Sequence, residues 1–304
     1  MCMSGDKKTG YFLVLTAGVF WGFIGLFVSR LSALGVETGA ILFLRIGFGA
    51  LIMAPVIFLR GGLSSLKIDL RGLILTAIMG LVCQAFFNYA YTISIKEMGA
   101  SAAVVLLYTA PAFVAVMSRL FFSEAMSANK ISAIFINICG CFLTVTNGNF
   151  NTESHSALGI TSGIMAGFFY SLVTIIGKKA TSGRDPFAVT FYSFIFGAFF
   201  VAVISRPWEN ILEVWDIDIF ALGFLFGLIS TVGSYIAYMS GLSKITEISK
   251  APVFASVETP TAACVGIFML GEQGGIFKYI GILLVVISIA VMSAGSRNDD
   301  LKRK

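Results

Sequence analysis

Ten apolar runs, each long enough to cross a bilayer, follow one another along the chain at about 11–34, 39–59, 70–94, 100–123, 131–147, 157–178, 187–205, 217–242, 249–270 and 276–295. A hydrocarbon core of roughly 30 Å is crossed by about 20 residues of α-helix, and backbone groups there find no water, so each run must bond to itself as a helix. A membrane barrel would alternate apolar and polar residues, which stretches such as 219–229 do not. Composition leaves no room for a soluble domain: the 304 residues are 57% hydrophobic and 12% charged, where soluble domains run near half apolar and a quarter charged. The expected fold class is all-α, a polytopic membrane protein. Lys7 and Lys8 precede the first run as they would in a signal peptide, but that run is long and others follow, so it reads as an uncleaved first span.

Charge sets the expected orientation. With the N-terminus in the cytoplasm, Arg30, Lys96, Arg206 and Lys278 fall outside, Arg45 lies within a span, and the other 16 of the 21 Lys and Arg residues fall inside. This is the positive-inside pattern, and it places both termini in the cytoplasm; the expected location is the inner (plasma) membrane of a bacterial-type cell. The net charge of +5 therefore reports topology and not a nucleic-acid partner. The stretch Thr146 to Ser156 has no Lys or Arg and is rich in Asn, Thr, Ser and Gly. It reads as an external linker between two halves, 1–148 and 149–304.

The halves are related. A displacement of about 148 residues lays Asn88-Tyr89-Ala90-Tyr91 over Tyr235-Ile236-Ala237-Tyr238, Tyr108-Thr109-Ala110-Pro111 over Val257-Glu258-Thr259-Pro260, and Glu124 over Glu272. With five spans per half, an odd number, the second half enters the membrane from the opposite face. Inverted repeats of this kind let secondary transporters reach inward-open and outward-open states of similar energy, with the substrate near the midplane between the repeats.

Trp21-Gly22 in the first span, Arg45 in the second, Leu107-Tyr108-Thr109-Ala110-Pro111 through Glu124 in the fourth, and Val257-Glu258-Thr259-Pro260 through Leu270-Gly271-Glu272 in the ninth give the chain its likeness. It resembles the drug/metabolite transporter superfamily, specifically its EamA-type members, over residues 11 to 295. The resemblance implies two five-helix repeats and a cargo of amino acids, nucleotide-like compounds, amines or other metabolites, often exported. The second half departs from the first in having Phe169-Tyr170 at the position of the Trp and no Arg in the seventh span.

Polar residues inside apolar spans are the candidate substrate contacts. Gln84, Asn88 and Tyr91 form one stripe on the third span, and Thr231, Tyr235 and Tyr238 repeat it on the eighth with Ser234 alongside. Polar groups avoid lipid, so both stripes face the bundle, either bonding neighbouring helices or lining a wet cavity. Glu258 lies near the centre of the ninth span, where an ionised carboxylate costs at least ~2.5–3.5 kcal/mol. It could carry a proton as its surroundings alternate, meet a cationic substrate group, or be hydrogen-bonded to Tyr or backbone. Pro111, Pro252 and Pro260 each free a carbonyl one turn back and mark kinks. Arg45 reads as a structural anchor, with an anionic ligand or a carboxylate partner as alternatives. Trp21, Tyr108 and Tyr170 are aromatics that either pack or cup a substrate. The spacings of Gly18 with Gly22, Gly163 with Gly167 and Gly223 with Gly227 permit close helix approach. Glu124 and Glu272 end apolar runs as caps or topology markers.

Other chemistry is poorly supported. The five cysteines lack the spacing of a metal site or a disulfide framework, and the lone histidine, His155, falls in the linker. There is no phosphate-binding Gly-Lys-Ser/Thr loop for ATP, so an ion or substrate gradient would supply the energy, with protons as the candidate coupling ion. No cofactor is expected; the partners are a small-molecule substrate and the lipid bilayer. The alternative is an integral membrane enzyme acting on lipid-like substrates, which would need clustered acid, base or metal ligands at a membrane face. A passive channel would instead repeat a pore-lining filter around several subunits.

Overall fold

The computed structural model describes residues 3–98, 100–148 and 156–302. Among them ten helices are long and apolar enough to cross a membrane: α1 (Asp6–Ala33), α2 (Thr38–Gly61), α3 (Leu70–Met98), α4 (Ala102–Phe122), α5 (Ala128–Thr146), α6 (Ala157–Ala180), α7 (Pro186–Ser205), α8 (Ile217–Lys244), α9 (Ile248–Met269) and α10 (Ile276–Ala294). There is no strand among the described residues. Leu59 and Phe268 are 84% exposed and Phe135 68%. A surface this apolar is untenable in water and natural against lipid. The chain is an all-α polytopic membrane protein. Cys2, His155 and most of the expected linker lie outside the described residues.

Several irregularities of the spans recur between the halves, although α1 is interrupted at Gly22-Phe23 while α6 is continuous. Helix α4 breaks at Tyr108-Thr109 and α9 at Ser256-Val257. Pro111 and Pro260 account for both, because a proline ring clashes with the carbonyl one turn back, here that of Leu107 and of Ser256. Helix α3 widens into a π turn over Met79–Phe86, and α8 does so over Gly227–Gly233. At the end of α4 the Glu124 amide donates to Ser118 O (3.3 Å), and at the end of α9 the Glu272 amide donates to Gly266 O (2.9 Å). The residues just before them, Ser123 and Gly271, both have positive φ. Lys130 then pairs with Glu124 (2.9 Å) and Lys278 with Glu272 (3.0 Å).

Backbone proximity divides the chain into two compact units, each drawing on both sequence halves: Met1–Phe86 with Ile176–Ile245, and Phe87–Ile175 with Thr246–Lys304. In the first, Phe27, Leu31, Ile41, Leu44, Ile219 and Phe226 form a core, with the rings of Phe27 and Phe226 stacked at 5.1 Å. Its helices touch through glycines. A Cβ on Gly80 of α3 would lie 2.6 Å from the Gly197 amide of α7, and one on Gly227 of α8 would lie 3.2 Å from the Gly49 amide of α2. Gly223 and Gly227 together receive the Phe48 ring and its Cβ, which is the close approach their spacing allows.

In the second unit α5 and α10 meet backbone to backbone at Gly140, whose added Cβ would stand 2.8 Å from the Val285 amide. Gly163 and Gly167 seat α6 on α4: a Cβ on Gly167 would lie 2.6 Å from Thr109 Oγ1 and 2.9 Å from Leu106 O, beside the α4 break.

Outside the spans of the first unit, Arg184 holds Asp69 through two nitrogens, Nη2 donating to Oδ2 at 2.7 Å. The Arg184 hydrogen bond holds the Asp69 carboxyl down at about 2. Because folding lowers the value, the pair contributes fully above the unfolded Asp value of about 3.9 and is lost as pH falls toward the folded value. Asp69→Asn should therefore give a small thermal destabilisation at neutral pH that vanishes near pH 2, read by fluorescence melting across pH.

Candidate functional site

In the second unit the two broken helices come together. Thr259, just beyond the α9 break, donates its hydroxyl to the Tyr108 hydroxyl at the α4 break (2.7 Å). Cys141 of α5 lies 3.4 Å from Thr259 Oγ1. One turn earlier on α5, fully buried Asn137 donates to Ser256 Oγ (2.5 Å), at the break itself, and to Ser288 Oγ of α10 (3.0 Å). Breaking a helix in lipid leaves backbone and side-chain groups that must be satisfied, and this buried ladder of hydroxyls and one amide ties four helices around the break.

Glu258 is the first residue of the second segment of α9. A carboxylate at a helix N-terminus faces the positive end of the helix dipole, a placement that stabilises its charge. The Tyr170 hydroxyl of α6 donates toward Glu258 Oε2 across 3.5 Å. Tyr170 also leans on Phe87 (centroids 5.5 Å apart), which stacks on Tyr91 (5.9 Å). Asn88, Tyr91, Tyr108, Tyr170 and Glu258 are all half-buried. The result is a carboxylate facing Tyr170, the first of a row of three aromatic rings, at a helix break, chemistry suited to a proton or to an organic cation.

The first unit holds the other predicted residues, and it packs them tightly. Gln84, in the π turn of α3, donates to the Tyr235 hydroxyl (2.7 Å) and accepts from Arg45 Nη2 (3.5 Å). Tyr235 meets Trp21 edge-on at 5.7 Å and Phe194 at 5.1 Å, and Trp21 lies 5.0 Å from Tyr238. Thr231 and Ser234 return their hydroxyls to carbonyls of their own helix, Phe226 O (3.2 Å) and Ser230 O (2.7 Å). Trp21, Gln84, Thr231, Ser234, Tyr235 and Tyr238 are each no more than 6% exposed. Arg45 also stands over the Phe226 ring at 5.7 Å.

The predicted set thus separates by burial: five residues half-buried in one unit, six sealed in the other. Sequence reasoning passed over Phe87, Asn137, Ser256 and Ser288. Single polar residues on separate spans carry no periodic signal, although an Asn within an apolar run such as 131–147 is a cue in itself. It also passed over both π turns, whose altered hydrogen-bond register leaves no mark in composition; such turns concentrate at functional sites.

Broken helices around an intramembrane carboxylate place the chain in the class of polytopic membrane proteins built to handle small solutes. The EamA-like transporter family matches it twice, over residues 8–146 and 157–294. The chain belongs to that family. Each match spans five of the ten helices. Among its relatives are an uncharacterized transporter of Archaeoglobus fulgidus, 24% identical over 93% of this chain and 96% of the relative, and the uncharacterized inner membrane transporter YicL of Salmonella typhimurium, 24% identical over 96% and 98%. The uncharacterized transporter YyaM of Bacillus subtilis is 21% identical over 82% of each chain. A solved crystal structure shares the fold with a TM-score of 0.79 at 15% identity, covering 97% of this chain and 99% of that one.

Proposed function

We propose that this protein is a secondary active transporter, an exporter or exchanger of small metabolites such as amino acids or amines, working by alternating access of two inverted five-helix repeats with both termini in the cytoplasm. The observation that carries the reading is Glu258: half-buried, at the break of α9, against Tyr170. An ionised carboxylate in mid-membrane costs at least ~2.5–3.5 kcal/mol unless something compensates it. A cationic substrate group or a proton compensates it, and alternate loading by the two would couple them. Tyr91, Tyr108, Tyr170 and Asn88 supply the aromatic and polar contacts around it. Trp21, Gln84, Thr231, Ser234, Tyr235 and Tyr238 complete the proposed substrate-binding set and are sealed in the conformation described. The proline breaks of α4 and α9 and the π turns of α3 and α8, at one register in both halves, support the duplication.

The test is flux. Purified protein in liposomes, loaded with a mixture of radiolabelled amino acids and polyamines, should exchange or accumulate at least one of them, faster with a pH gradient imposed. Absence of flux for every amine and zwitterion, with uptake of an anion instead, would overturn the cargo assignment.

A further inference from the structure

Four charged side chains converge where α8 connects to α9. Lys130 of α5 bridges Glu124 of α4 (2.9 Å) and Glu247 of the connection (2.6 Å), and Lys250 at the start of α9 takes the second Glu247 oxygen (2.5 Å). Glu124 also accepts from the amides of Ile248 and Ser249 (2.8 and 3.1 Å) and from the Ser249 hydroxyl. The side chains of Glu124, Lys130 and Lys250 are 6%, 4% and 1% exposed. Burial would raise the Glu247 carboxyl, but the hydrogen bonds from Lys130 and Lys250 hold it below the ordinary range.

Buried ion pairs are seldom better than apolar packing for stability alone. They differ from it in one respect: opened to water, the ions are hydrated, whereas apolar groups are penalised. A contact that must be sealed in one state and wet in another is therefore better balanced when built of ions. The repeat-related pair, Glu272 with Lys278, has the same backbone closure, yet the Glu272 side chain is 53% exposed. Burial of the repeat-related helix segments differs in the same sense. Ala251, Val253, Phe254, Ala255 and Ser256 of α9 are buried, while of residues 102–109 in α4 only Ala103 is.

We propose that Glu124, Lys130, Glu247 and Lys250 form an ionic latch that closes this end of the second unit in the conformation described, and that releases when the transporter opens to the α8–α9 side. The proposal rests on the transporter reading, but its test needs no solute. Protein in nanodiscs carrying Ala251→Cys is labelled with a membrane-impermeant maleimide, and peptide mass mapping separates that label from the native cysteines. Ala103→Cys, equally buried, serves as the control. Lys130→Met, or Glu124→Gln should the first not fold, is expected to speed labelling of Ala251→Cys by roughly tenfold or more, as a shift in population would. Labelling of Ala103→Cys should stay slow, and Lys278→Met should leave Ala251→Cys slow. An unchanged rate in a folded variant would overturn the latch, as would a parallel rise at Ala103→Cys, which marks general loosening. If the labelling pattern holds while no solute is moved by the wild-type protein, the transport reading falls and the latch stands.

Discussion

Glu258→Gln should lower solute flux by roughly 10- to 150-fold in reconstituted vesicles while the protein remains folded, the equivalent of the ~1.5–3 kcal/mol that a hydrogen bond to a charged group contributes. Glutamine keeps the size and one acceptor, so the Tyr170 contact (3.5 Å) can persist and α9 need not repack. What is lost is the charge at the N-terminus of the second α9 segment. If Glu258 serves a proton, the residual flux of the variant should also lose its dependence on pH. Flux equal to wild type at every pH would remove Glu258 from the mechanism. Tyr170→Phe is the companion: it keeps the ring against Phe87 (5.5 Å) and deletes only the hydroxyl, so a neutral hydrogen bond's ~0.5–1.5 kcal/mol, a few-fold in flux, is expected.

Gly80→Val should prevent accumulation of folded protein. An added Cβ would stand 2.6 Å from the Gly197 amide and 2.7 Å from the Phe196 carbonyl carbon, so the obstruction is backbone, which cannot rotate away. Overpacking in ordinary cores costs ~1–3 kcal/mol, and here two helices would have to separate along the π turn that carries Gln84. Gly227→Val should behave alike, because its Cβ would lie 2.7 Å from Phe48 Cβ and 3.2 Å from the Gly49 amide. Gly47→Ala and Gly25→Ala, where an added Cβ meets nothing within 4 Å, should be tolerated. Detergent-extracted yield and gel-filtration profile of the four variants give the comparison. Normal yield of Gly80→Val would mean that α3 and α7 are not in backbone contact.

These expectations also show which parts of the molecule could be read from the chain alone. The ten spans were legible because hydropathy is a sum over some twenty residues, and lipid forces each sum into a helix. The ends were less so: the first helix begins at Met3 and α3 reaches Met98, since helical hydrogen bonding continues through Lys96 and Glu97 after the apolar run has stopped. Of the three prolines read as kinks, Pro111 and Pro260 sit just past the two breaks, whereas Pro252 lies in the first turn of the helical segment Ala251–Ala255. The pairing of Glu258 with Tyr was legible as one of three alternatives.

The division of the polar stripes was not. Gln84 and Tyr91 share one face of α3 at helical spacing, but Gln84 lies inside the π turn over Met79–Phe86 and the rest of the stripe beyond it, and one residue is sealed while the other is half-buried. Nor could the end-capping role of Glu124 be completed from sequence. Its position at the end of α4 suggested a cap, but the amides it satisfies belong to Ile248 and Ser249, brought to it only by folding.

Alternating access of the kind proposed requires two five-helix halves that face opposite ways in the membrane. Single cysteines placed at Ser4, at Thr152 in the central stretch and at Lys302, labelled by an impermeant reagent in intact cells and again in inverted vesicles, examine this directly. The prediction is that the two terminal sites react only in inverted vesicles and the central one only in intact cells. Terminal sites reacting on opposite faces would mean an odd number of spans, and the inverted pair of halves could not exist.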